Sequence, residues 1–137
     1  MALTTSFTQA SPVHSGRTGV VALWIVQVAL AGMFLLAGGS KLLGAAPMVA
    51  MFGAIGIGQW FRYVTGVIEV SSAIALLVPS FAVFGALALV VTMLCAIATH
   101  LLLIGGSPAM PAILLLGSAT VVWARRHQLL SALSMVR

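Results

Sequence analysis

Glu69 is the only acidic side chain in this 137-residue sequence, and it lies inside an apolar stretch, Val64 to Val78. A carboxylate in such a setting can form an ion pair, accept hydrogen bonds from a ligand, or carry a proton. Each duty needs a partner. Ionisable groups within lipid cost about 2.5–3.5 kcal/mol or more, so they face the bundle interior and pair there. The candidate partners are Lys41, Arg62, Tyr63 and His100. Arg62 is seven residues before Glu69, nearly two helical turns, so both share a helix face. Thr65 and Ser72 extend that polar stripe. A second stripe, Gln27, Phe34 and Lys41, repeats the spacing of seven. Gly38 and Gly39 beside Lys41 let another backbone approach closely. Lys41 is free either to snorkel towards the interface or to pair with Glu69, with Arg62, Tyr63 and His100 around the mouth.

Other chemistries lack their residues. A bis-histidine haem needs two histidines at matching depth, but His14 and His127 fall in the tails, opposite His100. Zinc needs three or four ligands, and only Glu69 and His100 offer themselves. One acid excludes paired carboxylates. No strand and glycine-rich loop precede a helix to cradle phosphate. Cys95 has no partner for a disulfide and reads as a small buried hydrophobe. The seven methionines read as apolar filler, and Gly53-x-x-Gly56 as a flexible bend.

The elements that position these residues are dictated by composition. The sequence is 62% hydrophobic and only 5% charged. No water-soluble domain of this size covers its surface with so few charges, so the solvent is lipid. The expected fold is all-α, an integral membrane four-helix bundle. At about 20 residues per span, four helices fill the chain. They are expected at Gly19–Leu43, Trp60–Val78, Phe81–Ile104 and Ala109–Trp123. The segment 44–59 is too short to cross and reads as interfacial or re-entrant. Residues 1–18 read as a disordered polar tail, 19–126 as the transmembrane domain and 127–137 as a short C-terminal tail. Alternating topology gathers Lys41, Arg62, Tyr63 and His100 at one end.

The cations are scattered, which argues against nucleic acid as a partner. Arg17, Arg125, Arg126 and Arg137 flank the spans on one side, Lys41 and Arg62 on the other. The positive-inside rule then puts both termini in the cytoplasm.

The sequence resembles the DoxX-like family of small four-span membrane proteins. The resemblance is carried by Lys41-Leu42, Gly44, Phe52, Gly56, Trp60-Phe61-Arg62-Tyr63, Gly66, Glu69, Ala73, Leu77 and Pro79. It spans about residues 24–125, and Trp60 to Pro79 is its most specific part. It implies a four-helix bundle in a bacterial cytoplasmic membrane and a family site at Lys41, Arg62 and Glu69. Relatives are associated with quinone-linked sulfur-compound oxidation and membrane redox assemblies; others act as assembly factors. The expectation is an accessory subunit of a redox system rather than an independent enzyme, with a quinone as cofactor or a lipid as ligand. Its partners would be the bilayer and other membrane or redox-complex subunits, and a homo-oligomer is compatible with the composition. The alternatives are a small proton-coupled carrier and a purely structural assembly factor, in which Lys41–Glu69 only fixes helix register. The chain has no cysteine pair for a thiol relay.

Overall fold

Two heptad stripes organise the molecule. The computed structural model describes residues 16–136 and contains helices but no strand among them. Helix α1 (Arg17–Leu42) buries Gln27, Leu30, Ala31, Phe34 and Gly38; α3 (Gln59–Leu77) buries Arg62, Gly66, Glu69, Ser72, Ala73 and Leu76. Steps of three and four residues put each set on one face, and the two faces meet antiparallel. Between them, the short α2 (Ala46–Ile55) contacts α3 and α1. Helix α4 (Ala82–Thr99) continues into a π-helical turn, His100–Ile104; α5 (Ala109–Ala124) and α6 (Arg126–Met135) follow. The packing order around the bundle is α1, α3, α4, α5, with α5 closing back on α1.

Three helices are long and apolar enough to cross a membrane: α1, α3, and α4 with its π turn. With 16 residues, α5 is roughly 24 Å long at 1.5 Å per residue. It is the shortest member of the bundle.

Glycine sets the helix joints. A Cβ on Gly38 would sit 2.9 Å from the Gly66 carbonyl oxygen, and one on Gly66 would lie 3.1 Å from the Gly38 carbonyl oxygen. A Cβ on Gly85 of α4 would come 2.7 Å from the Ser72 carbonyl oxygen of α3, and one on Gly117 of α5 would meet Leu30 of α1 at 2.9 Å. In lipid, where apolar burial between helices gains little, such close backbone packing holds a bundle together. Gly39, in contrast, meets nothing within 4 Å. Several hydroxyls are satisfied locally: Thr65, Ser71, Thr92, Thr99 and Thr120 each donate to a carbonyl one turn back, whereas the buried Ser118 hydroxyl has no partner among the described residues.

The segment 44–59 differs in detail from its sequence reading. Gly44 at φ 72 ends α1, with Ala45 N donating to Ser40 O (3.0 Å) and Gly44 N to Lys41 O (3.3 Å). This is a Schellman motif, which needs a residue free of left-handed strain at that position. Gly53 lies within α2 rather than at a bend, and Gly56 (φ 80) ends that helix. The first helix begins at Arg17, two residues before the expected start. The C-terminal tail is helical as α6. The reading of the N-terminal tail as disordered, with His14, falls on residues outside the described ones, apart from Gly16 to Thr18.

The glycine joints make adjacent residues behave oppositely. Gly38→Ala should lower the midpoint of detergent-induced unfolding, because overpacking costs about 1–3 kcal/mol. Gly39→Ala should be neutral or stabilising by roughly 0.5–1 kcal/mol, from helix propensity alone. Equal effects at the two positions would refute the joint.

Candidate functional site

Antiparallel stripes determine where the charges fall. Gly38 is level with Gly66, and Lys41 is level with Arg62, whose Nη1 donates to the Lys41 carbonyl. Glu69 therefore lies seven residues, roughly 10 Å, deeper than Lys41. The gap closes because helical side chains lean towards their own N-terminus. For Lys41 that direction is inward, and for Glu69 it is towards the mouth. The two meet: Lys41 Nζ donates to Glu69 Oε2 at 2.7 Å, with the side chains 11% and 3% exposed. Lys41 thus turns into the bundle instead of snorkelling out, because the nearest carboxylate lies below it.

Arg62 is 4% exposed, buried beneath the α1–α2 turn rather than standing at the mouth. Besides Lys41 O it donates through Nε to Gln59 Oε1 at 2.8 Å, and its guanidinium lies 4.3 Å from the Tyr63 ring centroid. A Cβ on Gly44 would sit 3.6 Å from Arg62 Nη1. Arg62 caps the C-terminus of α1, where free carbonyls and the negative end of the helix dipole favour a cation. Tyr63 is exposed on the outer face and does not reach the cavity described next. Of the five candidates, Lys41, Glu69 and Arg62 are brought together directly, and Tyr63 joins only through Arg62.

A cavity of about 470 Å³ opens beside the ion pair, walled by α1, α3, α4 with its π turn, and α5, with α2 across it. Lys41, Glu69, Thr65, Thr92 and His100 are among the few polar groups in an otherwise apolar lining. The Nδ1 of His100 lies 2.9 Å from Ala96 O. A carbonyl oxygen only accepts, so Nδ1 is the donor in this contact. Five of the seven methionines line this one cavity: Met33, Met48, Met51, Met93 and Met110. Their spacing in sequence hides this shared wall. Cys95 also lines it and is exposed, not buried. No cluster of three or more His, Cys, Asp or Glu residues suited to a metal occurs among the described residues.

The opposite end holds a polar lock that single-residue reading missed. Gln27, fully buried, donates through Nε2 to Leu76 O at 2.6 Å, satisfying a free carbonyl in the last turn of α3. Its Oε1 accepts from Arg125 Nε (3.0 Å) and Nη2 (2.8 Å). The heptad stripe located Gln27; nothing in the sequence connected it to Arg125, 98 residues away.

The model of the DoxX-like family matches residues 25–124. The chain belongs to this family and is a membrane protein. No match was found among curated proteins or solved structures.

The ion pair gives an asymmetric mutational signature. In Glu69→Ala the freed Lys41, anchored at the mouth, can swing out to the interface. In Lys41→Met the carboxylate two turns down has no such exit. Lys41→Met should therefore destabilise by about 3–5 kcal/mol, as breaking a buried pair from one side does, and Glu69→Ala by less. Lys41→Met with Glu69→Met should recover most of the larger loss. Additive losses in detergent-unfolding midpoints would show that the two residues are not partners.

Proposed function

We propose that this protein is an accessory membrane subunit of a quinone-linked redox system, and that its cavity holds the head of a quinone or lipid against Lys41 and Glu69. The observation that carries this reading is the position of the ion pair. A pair serving only to fix register would be sealed between helices, whereas both of these residues line a cavity of about 470 Å³. An apolar pocket with a few convergent polar groups is the usual form of a small-molecule site. Lys41 has three N–H donors, one of them committed to Glu69. The lining hydroxyls of Ser40, Thr65, Thr92 and Thr99 already donate to carbonyls of their own helices. Lys41 is thus the donor for a carbonyl or phosphate oxygen, and the hydroxyl oxygens are acceptors. The flexible thioethers suit an unbranched or isoprenoid tail, since methionine adapts its shape to irregular apolar partners.

The structural reading keeps one specific support: the pair joins α1 to α3 at the Gly38–Gly66 crossing. A proton-coupled carrier is less favoured. Carriers break their helices near mid-membrane, but α1 and α3 run unbroken past the cavity, and the π turn falls at the end of α4. Both termini in the cytoplasm of a bacterial inner membrane remain the proposed orientation. The exposed apolar helix faces are then available to lipid and to partner subunits.

Glu69→Gln separates the readings, because it keeps volume and hydrogen bonding while removing the charge. The variant should stay folded yet lose the bound quinone or lipid detected by mass spectrometry of gently solubilised wild-type protein. Unchanged ligand retention in folded Glu69→Gln protein would favour the structural role. Orientation is tested by Ser107→Cys in a Cys95→Ala background. An impermeant thiol reagent should label it in intact cells, and labelling only after membrane rupture would reverse the topology.

A further inference from the structure

The cations at the end of the bundle opposite Lys41–Glu69 have no acidic side chain to pair with anywhere in the sequence. There are six Lys and Arg residues and one acid, and that acid is held by Lys41. A groove lies between the start of α1, the α3–α4 turn and the start of α6. Its walls are apolar, from Val20, Leu23, Trp24 and Pro79, and Arg125, His127 and Gln128 complete it.

Arg125 is fixed in place there. Its Nε and Nη2 bond Gln27 Oε1, and its guanidinium carbon lies 5.7 Å from the Trp24 ring centroid. Nη1 has no hydrogen-bond partner among the described residues. A guanidinium held this way loses little freedom when it binds a phosphate oxygen. Arg126 follows at the surface, stacked 4.7 Å over the Trp123 ring. The two tryptophans put this level at the boundary between headgroups and acyl chains. Gln128 supplies a second cue. Its Nε2 donates to Pro79 O at 3.0 Å, while its Oε1, shielded from solvent, has no donor among the described residues.

We infer that this groove binds an anionic phospholipid, with the phosphate on Arg125 and one acyl chain along Val20, Leu23 and Trp24. A headgroup bearing hydroxyls, such as phosphatidylglycerol, would also supply the donor that Gln128 Oε1 lacks. This site is separate from the Lys41–Glu69 cavity and does not depend on what that cavity holds.

The test uses the full chain in mild detergent with phosphatidylglycerol and phosphatidylcholine at equal concentration. Native mass spectrometry should show preferential phosphatidylglycerol adducts, and Arg125→Gln should weaken them roughly five- to tenfold, as expected for one arginine beside anionic lipid. Equal adducts of both lipids, or an undiminished preference in Arg125→Gln, would overturn the proposal. Because Arg125→Gln also removes bonds to Gln27, a second arm leaves the groove intact. In Trp60→Phe with Trp123→Phe, Trp24 is the sole tryptophan, and bromine-labelled phosphatidylglycerol should quench it more than labelled phosphatidylcholine. Equal quenching would sink the idea. Soluble glycerol phosphate should fail to displace the lipid at the same concentration; full displacement would make this a phosphate site without a lipid requirement.

Discussion

One buried ion pair imposes most of this architecture. A single carboxylate within lipid must find its cation, and the only lysine stands two turns above it on the neighbouring helix. For Lys41 and Glu69 to meet at 2.7 Å, α1 and α3 must be antiparallel, in one register and very close. The Gly38–Gly66 crossing provides the closeness, and it lies between the levels of the two charges. Arg62 then removes the remaining conflict. It is a second cation beside Lys41, and it is accommodated because the C-terminus of α1 offers carbonyls and a negative dipole end. Pair, crossing and cap form one unit, since moving any of them misaligns the other two.

That unit also explains why a cavity persists beside it. The lysine reaches down along the inner face of the bundle, so α4 and α5 cannot pack flush against α1 and α3 at this depth. Methionines and Phe34 line the resulting space. Flexible side chains fill such irregular gaps without requiring one shape. The π turn at His100–Ile104 belongs to the same wall and contacts α2. π turns commonly occur at functional sites, and here one presents His100, the only histidine lining the cavity among the described residues.

Much of this was legible in the residues themselves. Composition named the solvent, the heptads 27–34–41 and 62–69 named the inner faces, and the first span was placed to end at Leu43, one residue past the end of α1. What was not legible depended on side-chain direction or on distant partners. Lys41 can in principle snorkel out or reach in, and only its level relative to Glu69 decides. Tyr63 sits next to Arg62 in sequence but on the outer face, because a step of one residue turns about 100° around a helix. Cys95 has apolar neighbours in sequence, and its exposure depends on how α4 packs in the bundle, which no local pattern encodes. The methionine wall is likewise assembled from α1, α2, α4 and α5, so no spacing within one helix reveals it.

The two ends of the bundle handle charge in opposite ways, and the difference bears on orientation. At the cavity end, Lys41 is neutralised by Glu69 and Arg62 is buried against α1, so neither cation is offered to the membrane surface. At the other end, Arg126 is exposed and Arg125 keeps an edge open to the groove. A simple count of Lys and Arg on each side understates this asymmetry, because it gives buried and exposed cations the same weight. Once the fold has formed, the exposed cations among the described residues are concentrated at the end that carries the starts of α1 and α6. The cytoplasmic leaflet is the anionic one, so the proposed orientation places the free arginines where counter-charge is available. It leaves the end whose cations are held inside the fold, with its apolar cavity, facing away from that surface.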